Sequence, residues 1–228
     1  MIFMDDNFPL TEELDLIIPI GITHIFGKEP KITYYPEAEE LALWLDSLSE
    51  KQLFSKDTLS LLEEKASEIP AFGCYLPDRE HPCDYSYLYR LDDEKMLREN
   101  VIMPESRRIL PGHGFVNLTD TEADMLDPDA LIFGTVKDGR ILSVAFENPC
   151  FGDSTGNLID IGVETAEGFG GHGYGASNVA ALCKALLSVD KSVSYIAQSS
   201  NQPSVRIAES VGFSCYGFEF QLALYRQD

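Results

Sequence analysis

Basic residues are scarce in this chain. The 228 residues include 17 Lys and Arg against 38 Asp and Glu, which gives a formal net charge of −21. Proteins that bind nucleic acids or anionic membrane surfaces do so largely through clustered positive charge. The sequence therefore predicts no nucleic-acid partner and no membrane partner. A cationic or amine-bearing ligand is compatible with this charge, although solubility alone explains it about as well.

Cysteine is also infrequent, and its spacing does not suggest a metal site or a disulfide framework. The five cysteines form no C-x-x-C pair. Cys183 and Cys215 lie among apolar residues, as buried free thiols do in a reducing cytoplasm. His81 and Cys83 are close enough in sequence to share a metal, but no second tight pair accompanies them. We therefore predict that the protein binds no metal.

The sequence lacks the signals that direct a chain to or through a membrane. The N-terminus, Met-Ile-Phe-Met-Asp-Asp-Asn, has no basic region before an apolar one, so it does not resemble a secretory signal. Residues 14–22 are apolar, but they include Pro19 and are too few to span a bilayer. We expect a cytoplasmic protein, and its 44% of hydrophobic residues predicts a folded core.

One segment is more informative than the rest of the chain. Residues 160–176 read Asp-Ile-Gly-Val-Glu-Thr-Ala-Glu-Gly-Phe-Gly-Gly-His-Gly-Tyr-Gly-Ala. A strand predicted over 158–164 leads into a loop with alternate glycines, and a helix is predicted over 173–187. Such a loop leaves backbone N–H groups accessible, and the helix N-terminus adds unpaired donors and the positive end of its dipole. The segment therefore predicts a site for a phosphate or pyrophosphate.

The N-terminal region, residues 1–105, is predicted to be mostly helical after an irregular start. Helices are expected over residues 36–48 and 53–69, and Pro70 ends the second. The other elements predicted here are a strand over 85–91 and a charged helical segment over 92–100.

Residues 104–114 contain two prolines and two glycines, so we interpret them as the connection into a second region, residues 106–228. Asp138-Gly139 lies between two apolar runs and is the strongest hairpin signal in the chain. The further elements predicted in this region are a strand over 115–118, an acidic helix over 119–126, hairpin strands over 131–137 and 140–147, a strand over 192–198, a helix over 203–211 and two strands between 213 and 225.

Two common nucleotide-binding motifs can be compared with the glycine loop. Residues 171–176 satisfy the G-x-G-x-x-G/A pattern of NAD and flavin proteins. However, the next predicted strand ends in Gln-Ser-Ser-Asn, without the acid that would bind a ribose, and only 52 residues follow Ala176. A P-loop is excluded because no Gly-Lys-Ser/Thr follows the glycines. The surroundings of the loop therefore disfavour a dinucleotide.

The order of elements in the second region resembles the GNAT superfamily of N-acetyltransferases. The acyl-CoA signature of that family, Arg/Gln-x-x-Gly-x-Gly/Ala, is similar to residues 170–175, except that Gly170 replaces the usual Arg or Gln. The segment from Asn201 through Ser204 to Gly212-Phe213 resembles the family's downstream Asn…Ser/Ala…Gly-Phe segment.

The resemblance extends over residues 113–228, about half of the chain, and implies an α+β fold. The expected architecture is a GNAT-like mixed, mostly antiparallel twisted sheet with flanking helices, joined to the mainly helical region 1–105. That first region is either a degenerate half of a tandem GNAT arrangement or an added helical cap. The resemblance also implies that the strands over 158–164 and 192–198 splay apart and leave a slot.

In this slot the pantetheine arm of acetyl-CoA would bind backbone groups like an additional strand, and the pyrophosphate would bind the amides of the glycine loop. His172 is expected to be an exposed loop residue and Tyr174 to pack beside the loop, neither with a catalytic role. The residues expected to bind the cofactor are Val163, Thr165, Glu167, Gly170, Gly171, His172, Gly173, Tyr174, Gly175, Ala176 and Asn201.

The activity implied by the resemblance is direct transfer of an acetyl group from acetyl-CoA to an amine. Such transfer uses a base for the amine and a proton donor for the departing thiolate. Ala208 replaces the tyrosine that donates this proton in many relatives, so Ser204 is the candidate donor, with helix capping as its alternative role. Asp160 and Glu164 share one face of a strand and are the candidate bases, with Glu147 as a third.

A non-catalytic acyl-CoA-binding or sensor module is the alternative function, because Gly170 and Ala208 both depart from the family pattern. No cysteine lies in the motif segment, so we expect no covalent acyl-enzyme. The sequence leaves open whether the acceptor is a polyamine-like molecule, an antibiotic or a protein N-terminus, and whether the protein forms a homodimer.

Overall fold

The computed structural model describes residues 2–4, 16–77, 84–110, 116–117, 131–148 and 156–226. The chain folds into two compact units. Unit 1 consists of Met1–Tyr87, Gln198–Ser200 and Tyr216–Asp228, and unit 2 of Leu88–Ala197 and Asn201–Cys215. Unit 1 thus contains both ends of the chain, and the boundary predicted between residues 105 and 106 falls within unit 2.

The described secondary structure comprises twelve strands and five α-helices. The strands are β1 (Ile2–Met4), β2 (Leu16–Ile25), β3 (Lys31–Tyr34), β4 (Tyr75–Pro77), β5 (Ser86–Leu91), β6 (Ser106–Arg108), β7 (Val116–Asn117), β8 (Ile132–Lys137), β9 (Arg140–Glu147), β10 (Leu158–Thr165), β11 (Ser192–Gln198) and β12 (Ser214–Arg226). The helices are α1 (Glu39–Asp46), α2 (Glu50–Leu53), α3 (Lys56–Ser67), α4 (Tyr174–Leu187) and α5 (Gln202–Val211). No helix in these ranges is long and apolar enough to cross a membrane.

Unit 1 is a sheet with helices on one face. Its strands lie in the order β1-β3-β2-β12, and β4 pairs with β12. Buried and less buried residues alternate along β2 and β3, so one face joins a core. That core also contains residues at three- and four-residue spacing on α1 and α3, and it comprises, among others, Ile20, Ile22, Ile32, Leu41, Leu45, Leu59, Leu62 and Phe220.

The prediction of a mainly helical N-terminal region is not confirmed, because the chain begins with the strands β1, β2 and β3. Strand β2 includes Pro19, and no strand was predicted over residues 16–25. In the ladder with β12, Ile17 pairs with Leu224 and Ile20 with Leu222, so β2 has a bulge between them. A bulge needs no N–H from proline, and the carbonyl of Pro19 accepts a hydrogen bond from the N–H of Tyr35 at 2.9 Å.

Unit 2 contains the mixed, mostly antiparallel sheet with flanking helices that was predicted, and this part of the prediction is confirmed. The strand order is β5-β11-β10-β9-β8-β6, and β7 pairs with β9. The pairs β6–β8, β8–β9 and β9–β10 are antiparallel, whereas β10–β11 is parallel. Asp138 and Gly139 both have positive φ, 50° and 73°, as a two-residue hairpin requires.

Several local predictions differ from the structure. The segment interpreted as a connection contains β6, which pairs with β8. The charged segment predicted to be helical over 92–100 contains a short 3₁₀ helix, Glu94–Met96, and the start of a second, Glu99–Val101. The two strands expected between residues 213 and 225 are the single strand β12, which pairs with β2 through Gly217, where an added Cβ would clash with the carbonyl oxygen of His24. The helix predicted over 119–126 lies outside the described residues.

Candidate functional site

The strands β10 and β11 separate part-way along their length. Their parallel ladder joins Leu158 to Ser192, Ile159 to Val193 and Asp160 to Ser194, where it ends within the described part of the chain. Both strands continue beyond this point. The last pair, Asp160 and Ser194, thus marks the fork of the sheet, and this geometry agrees with the predicted splay.

The peptide groups of β10 beyond the fork alternate between its two neighbours. The N–H of Asn148 donates to the carbonyl of Asp160, and the N–H of Ala166 donates to the carbonyl of Leu142, both at 2.8 Å. Even-numbered positions therefore direct their peptide groups toward β9, and the alternation of a strand directs those of Val163 and Thr165 toward the diverging side. These groups can pair with an extended amide chain, as an added strand does.

Asp160 places a buried carboxylate at the fork. Its side chain is only 3% exposed, and the hydroxyl of Ser194 donates to its Oδ1 at 2.8 Å. Burial raises the pKa of Asp160 from 3.8 to about 6, whereas the hydrogen bonds from Ser194 and from the N–H of Ile161 lower it. A carboxylate with such a pKa is ionised at neutral pH and still basic enough to accept a proton in catalysis.

Tyr195 and Ser204 form a second polar pair near the fork. The two hydroxyl oxygens are 2.7 Å apart, and Tyr195 is 2% exposed. Burial raises the pKa of Tyr195, and the hydrogen bond with Ser204 lowers it. The side chain of Asn201 accepts the backbone N–H of Ser204 at 3.2 Å and caps α5. The Ser204 hydroxyl is thus bonded to Tyr195, while Asn201 provides the cap.

The Asp160–Ser194 pair and the Tyr195–Ser204 pair lie on opposite faces of the sheet. Ser194 and Tyr195 are consecutive strand residues, so their side chains project to opposite faces. Asp160 shares the face of Ser194, whereas Tyr195 reaches Ser204 on α5. The fork therefore has a carboxylate on one face and a hydroxyl pair on the other.

The other two candidate bases differ in placement. Glu164 has the parity of Asp160, and the β9–β10 ladder has no bulge between residues 161 and 165, so both side chains share a face as expected. Glu164 is half-buried rather than buried. Glu147 pairs with Ile161 and therefore lies on the face opposite to Asp160.

The glycine loop needs its glycines for two reasons. Gly171 and Gly173 have φ values of 78° and 81°, a left-handed conformation that side chains disfavour. Gly175 packs inside the unit, where a Cβ would lie 3.0 Å from Cδ1 of Ile207 and 3.4 Å from Oγ1 of Thr165. By contrast, a Cβ at Gly170 would meet nothing within 4 Å. The missing basic residue at that position is therefore not explained by lack of space.

The first turn of α4 is an accessible set of hydrogen-bond donors. Gly173 is its N-cap, and no side chain in the described residues caps this end. Residues 170–173 are exposed, Tyr174 and Ala176 are half-buried and Gly175 is buried, so solvent reaches the N-terminal end of this turn. An uncapped turn behind positive-φ glycines fits an anionic group.

A polar network that sequence reasoning missed holds this turn against the sheet. Ser177 accepts the N–H of Met103 at 2.8 Å. Asn178 donates to the carbonyl of Ser143 at 3.1 Å, and Thr165 donates to the Ser143 hydroxyl at 2.9 Å. Asn178 and Ser143 are fully buried, so each bond contributes to fixing the end of β10 relative to α4. The only signal in the sequence was the polarity of Ser177-Asn178 inside an apolar helix.

The remaining predicted residues are placed as follows. Glu167 is exposed in the turn after β10, and Ala176 is half-buried in the first turn of α4. The rings of His172 and Tyr174 are in edge contact, with centroids 5.6 Å apart. Cys183 is fully buried, which raises the pKa of its thiol and disfavours a thiolate. The described residues contain no group of three or more His, Cys, Asp or Glu that could hold a metal.

The sequence matches no family model, and it matches no curated protein. Several solved structures match it in fold. An acetyltransferase of the GNAT family from Colwellia psychrerythraea is 15% identical with a TM-score of 0.48, and the match covers 61% of this chain and 56% of that one. A GCN5-related N-acetyltransferase-like protein from Streptococcus suis is 15% identical with a TM-score of 0.48, covering 91% and 88%.

A GCN5-related N-acetyltransferase from Sphaerobacter thermophilus is 11% identical with a TM-score of 0.48, covering 91% of this chain and 77% of that one. In five of the matches the aligned part spans 56 to 66% of the other protein's length.

Proposed function

We propose that this protein transfers an acetyl group from acetyl-CoA directly to an amine, with Asp160 as the base. The observation that carries the proposal is the buried carboxylate at the point where β10 and β11 separate. This point lies at one end of a strand whose other end leads into the glycine loop. A buried acid with a pKa of about 6 is typical of a catalytic group rather than of a solvated strand face.

The residues of β10 and α4 fit the cofactor. The peptide groups of Val163 and Thr165 would bind its pantetheine arm, and the amides of residues 171–176 would bind its pyrophosphate. The peptide groups beyond the fork and the uncapped first turn of α4 support this binding, and neither needs the basic residue that Gly170 replaces. The thioester supplies the activated acetyl group, and no metal is required. Glu167 and Asn201 would also contact the cofactor.

Asp160 would accept the proton that the amine loses as its nitrogen bonds to the acetyl carbon. The hydrogen bonds from Ser194 and from the N–H of Ile161 hold the carboxylate in one orientation. At pH 7 to 8 the group is ionised and ready to accept this proton. Glu164 lies on the same face and is the second choice, whereas Glu147 lies on the other face.

Ser204 would protonate the thiolate that leaves when the carbon–sulfur bond breaks. Tyr195 is bonded to the Ser204 hydroxyl and can return a proton to it, so the pair acts as one donor. The capping function belongs to Asn201, which leaves the Ser204 hydroxyl available for this role. Tyr195 thereby takes over part of the role that a tyrosine at position 208 has in many relatives.

A non-catalytic acyl-CoA-binding module is the second candidate, because Ala208 is fully buried and carries no proton donor and Gly170 carries no charge. One experiment separates the two functions: CoA release from acetyl-CoA is followed by chromatography with a panel of polyamines, aminoglycosides and peptide N-termini, alongside calorimetry with CoA and NAD. We expect CoA binding without NAD binding, and amine-dependent CoA release. CoA binding without release from any amine would favour the binding module, and NAD binding without CoA binding would overturn both.

A further inference from the structure

Unit 1 contains a half-open cavity that no part of the proposed transfer reaction uses. Its volume is about 380 Å³, within the range of small-molecule sites. It opens on the sheet face opposite to the helices, because Gly21 and Thr33 alternate with the core residues Ile20, Ile22 and Ile32. The lining residues are Leu16, Ile18, Gly21, Thr23, Thr33, Tyr34, Tyr35 and Gln221.

The centre of the cavity is a gap in one cross-strand row. Gly21 pairs with Thr33 on β3 and with Gln221 on β12, so the three positions lie side by side on one face. The row therefore consists of the Thr33 hydroxyl, the position of Gly21, which has no side chain, and the Gln221 carboxamide. A Cβ on Gly21 would lie 2.8 Å from Oγ1 of Thr33. The gap is thus a consequence of glycine at this position, and any side chain would fill it.

The lining determines which ligand can enter this gap. The eight residues are uncharged. Thr33 donates only a long hydrogen bond, 3.4 Å, to the carbonyl of Gly21, so its hydroxyl can turn to a closer partner. Leu16 and Ile18 provide apolar surface beside these polar groups, and Leu16 is 40% exposed. A charged group entering here would lose water without gaining an opposite charge from the lining.

We propose that the Thr33–Gly21–Gln221 gap binds a small neutral ligand whose amide or hydroxyl group lies beside an apolar group. The amide or hydroxyl exchanges hydrogen bonds with Thr33 and Gln221, and the apolar part covers Leu16 and Ile18. The inference does not depend on acetyl transfer, because all of these residues belong to unit 1.

Three probes with the same branched carbon skeleton test this site: isovaleramide, isovalerate and isoamylamine. Each is titrated into the ¹⁵N-labelled full chain, and amide resonances are followed by NMR. We expect saturable shifts at the cavity residues with isovaleramide, and at least tenfold weaker binding of the anion and the cation. Shifts that do not saturate, or three probes that bind equally, would overturn the proposal.

Variants locate the binding. Gly21→Ala fills the gap. Thr33→Val and Gln221→Leu remove the polar groups and keep the shape of the side chains. These two variants test the site even if Gly21→Ala impairs folding. All three are expected to weaken isovaleramide binding at least tenfold. Ser67→Ala, on the far end of α3, is the control and should bind like the parent. The proposal fails if Thr33→Val and Gln221→Leu bind like this control.

Discussion

Asp160 and Ser194 stand opposite each other as the last paired residues of β10 and β11, joined by a 2.8 Å hydrogen bond from the serine hydroxyl to the carboxylate. The pair has two roles that oppose each other. The pair ends the β10–β11 ladder, because the two strands separate beyond it. It also contains a buried carboxyl group, that of Asp160, whose pKa is about 6. Stability and proposed activity should therefore depend on pH in opposite directions.

The stability of the fold should decline as Asp160 ionises. The pKa of the folded state, about 6, is above the ordinary value of 3.8, so the folded state binds the proton more tightly than the unfolded state. The stabilisation is complete below pH 3.8 and is lost as the pH rises through 6. Between pH 5 and pH 8 we expect a loss of about 1.4 kcal/mol in the free energy of unfolding from this group. Urea unfolding at several pH values measures it.

The matched variants for this measurement are Asp160→Asn and Glu164→Gln. Each removes one carboxylate from β10, but only the first removes a fully buried one. The pH range starts at 5 because the protein's pI is about 4.4 and proteins without net charge tend to precipitate. We expect the decline from pH 5 to pH 8 to become smaller in Asp160→Asn alone. An equal decline in both variants would mean that general charge repulsion causes it.

Acetyl transfer should show the reverse dependence on pH. If Asp160 is the base, kcat/KM rises through pH 6 as the carboxylate ionises, and Asp160→Asn lowers kcat by a factor of about 10² to 10⁴ with little change in CoA affinity. Ser194→Ala removes a hydrogen bond that lowers the pKa of Asp160, so the rising limb should move to higher pH. Steady-state kinetics with an acceptor from the amine panel test both statements. Full activity in Asp160→Asn together with loss in Glu164→Gln would assign the base to Glu164.

The sequence was most informative where the local pattern and the tertiary structure agree. Strand β11 has the predicted bounds, and α4 begins one residue after the predicted start. Both have long apolar patterns with clear ends, and the hairpin at Asp138-Gly139 has its own turn signal. The glycine loop was recognisable because glycine disfavours a helix. Three closely spaced glycines at a helix start therefore indicate that the backbone conformation requires them.

Long-range pairing explains what the sequence did not show. No strand was predicted around Pro19, and a bulge in the pairing of β2 with the distant strand β12 accommodates this residue. Two strands were predicted between residues 213 and 225, whereas β12 continues through Gly217, where the absence of a side chain allows its close approach to His24. Tyr195 was not among the predicted site residues. Only its distance to Ser204 shows that it belongs to a polar pair, although a buried tyrosine hydroxyl generally needs a partner.

A charge at position 170 should tune CoA affinity. A side chain there meets no atom within 4 Å and needs no left-handed backbone, so it tests charge without strain, unlike any change at Gly173. We expect Gly170→Arg to lower the Kd for CoA about two- to fivefold at low salt, and Gly170→Glu to raise it by a similar factor. Calorimetry at low salt and in 0.5 M NaCl measures both, and the difference should shrink at high salt.

The control for this pair is Ser67→Arg, which adds the same charge to unit 1. It should leave the Kd for CoA within the error of the parent. If Gly170→Arg and Gly170→Glu bind CoA with the same Kd, the anion does not bind at the first turn of α4, and the proposed cofactor site is wrong.

The effects of removing the Tyr195 hydroxyl and the Ser204 hydroxyl should depend on each other. A double-mutant cycle with Tyr195→Phe and Ser204→Ala is expected to give a coupling of about 0.5–1.5 kcal/mol in the free energy of unfolding, because the hydroxyls bond to each other inside the unit. If the pair also protonates the thiolate, each single variant lowers kcat by a similar factor at unchanged Kd for CoA, and the double variant is no slower than either. Coupling in stability without any effect on kcat would show that the pair only holds α5 against β11, and the thiolate, already a good leaving group, would then take its proton from water.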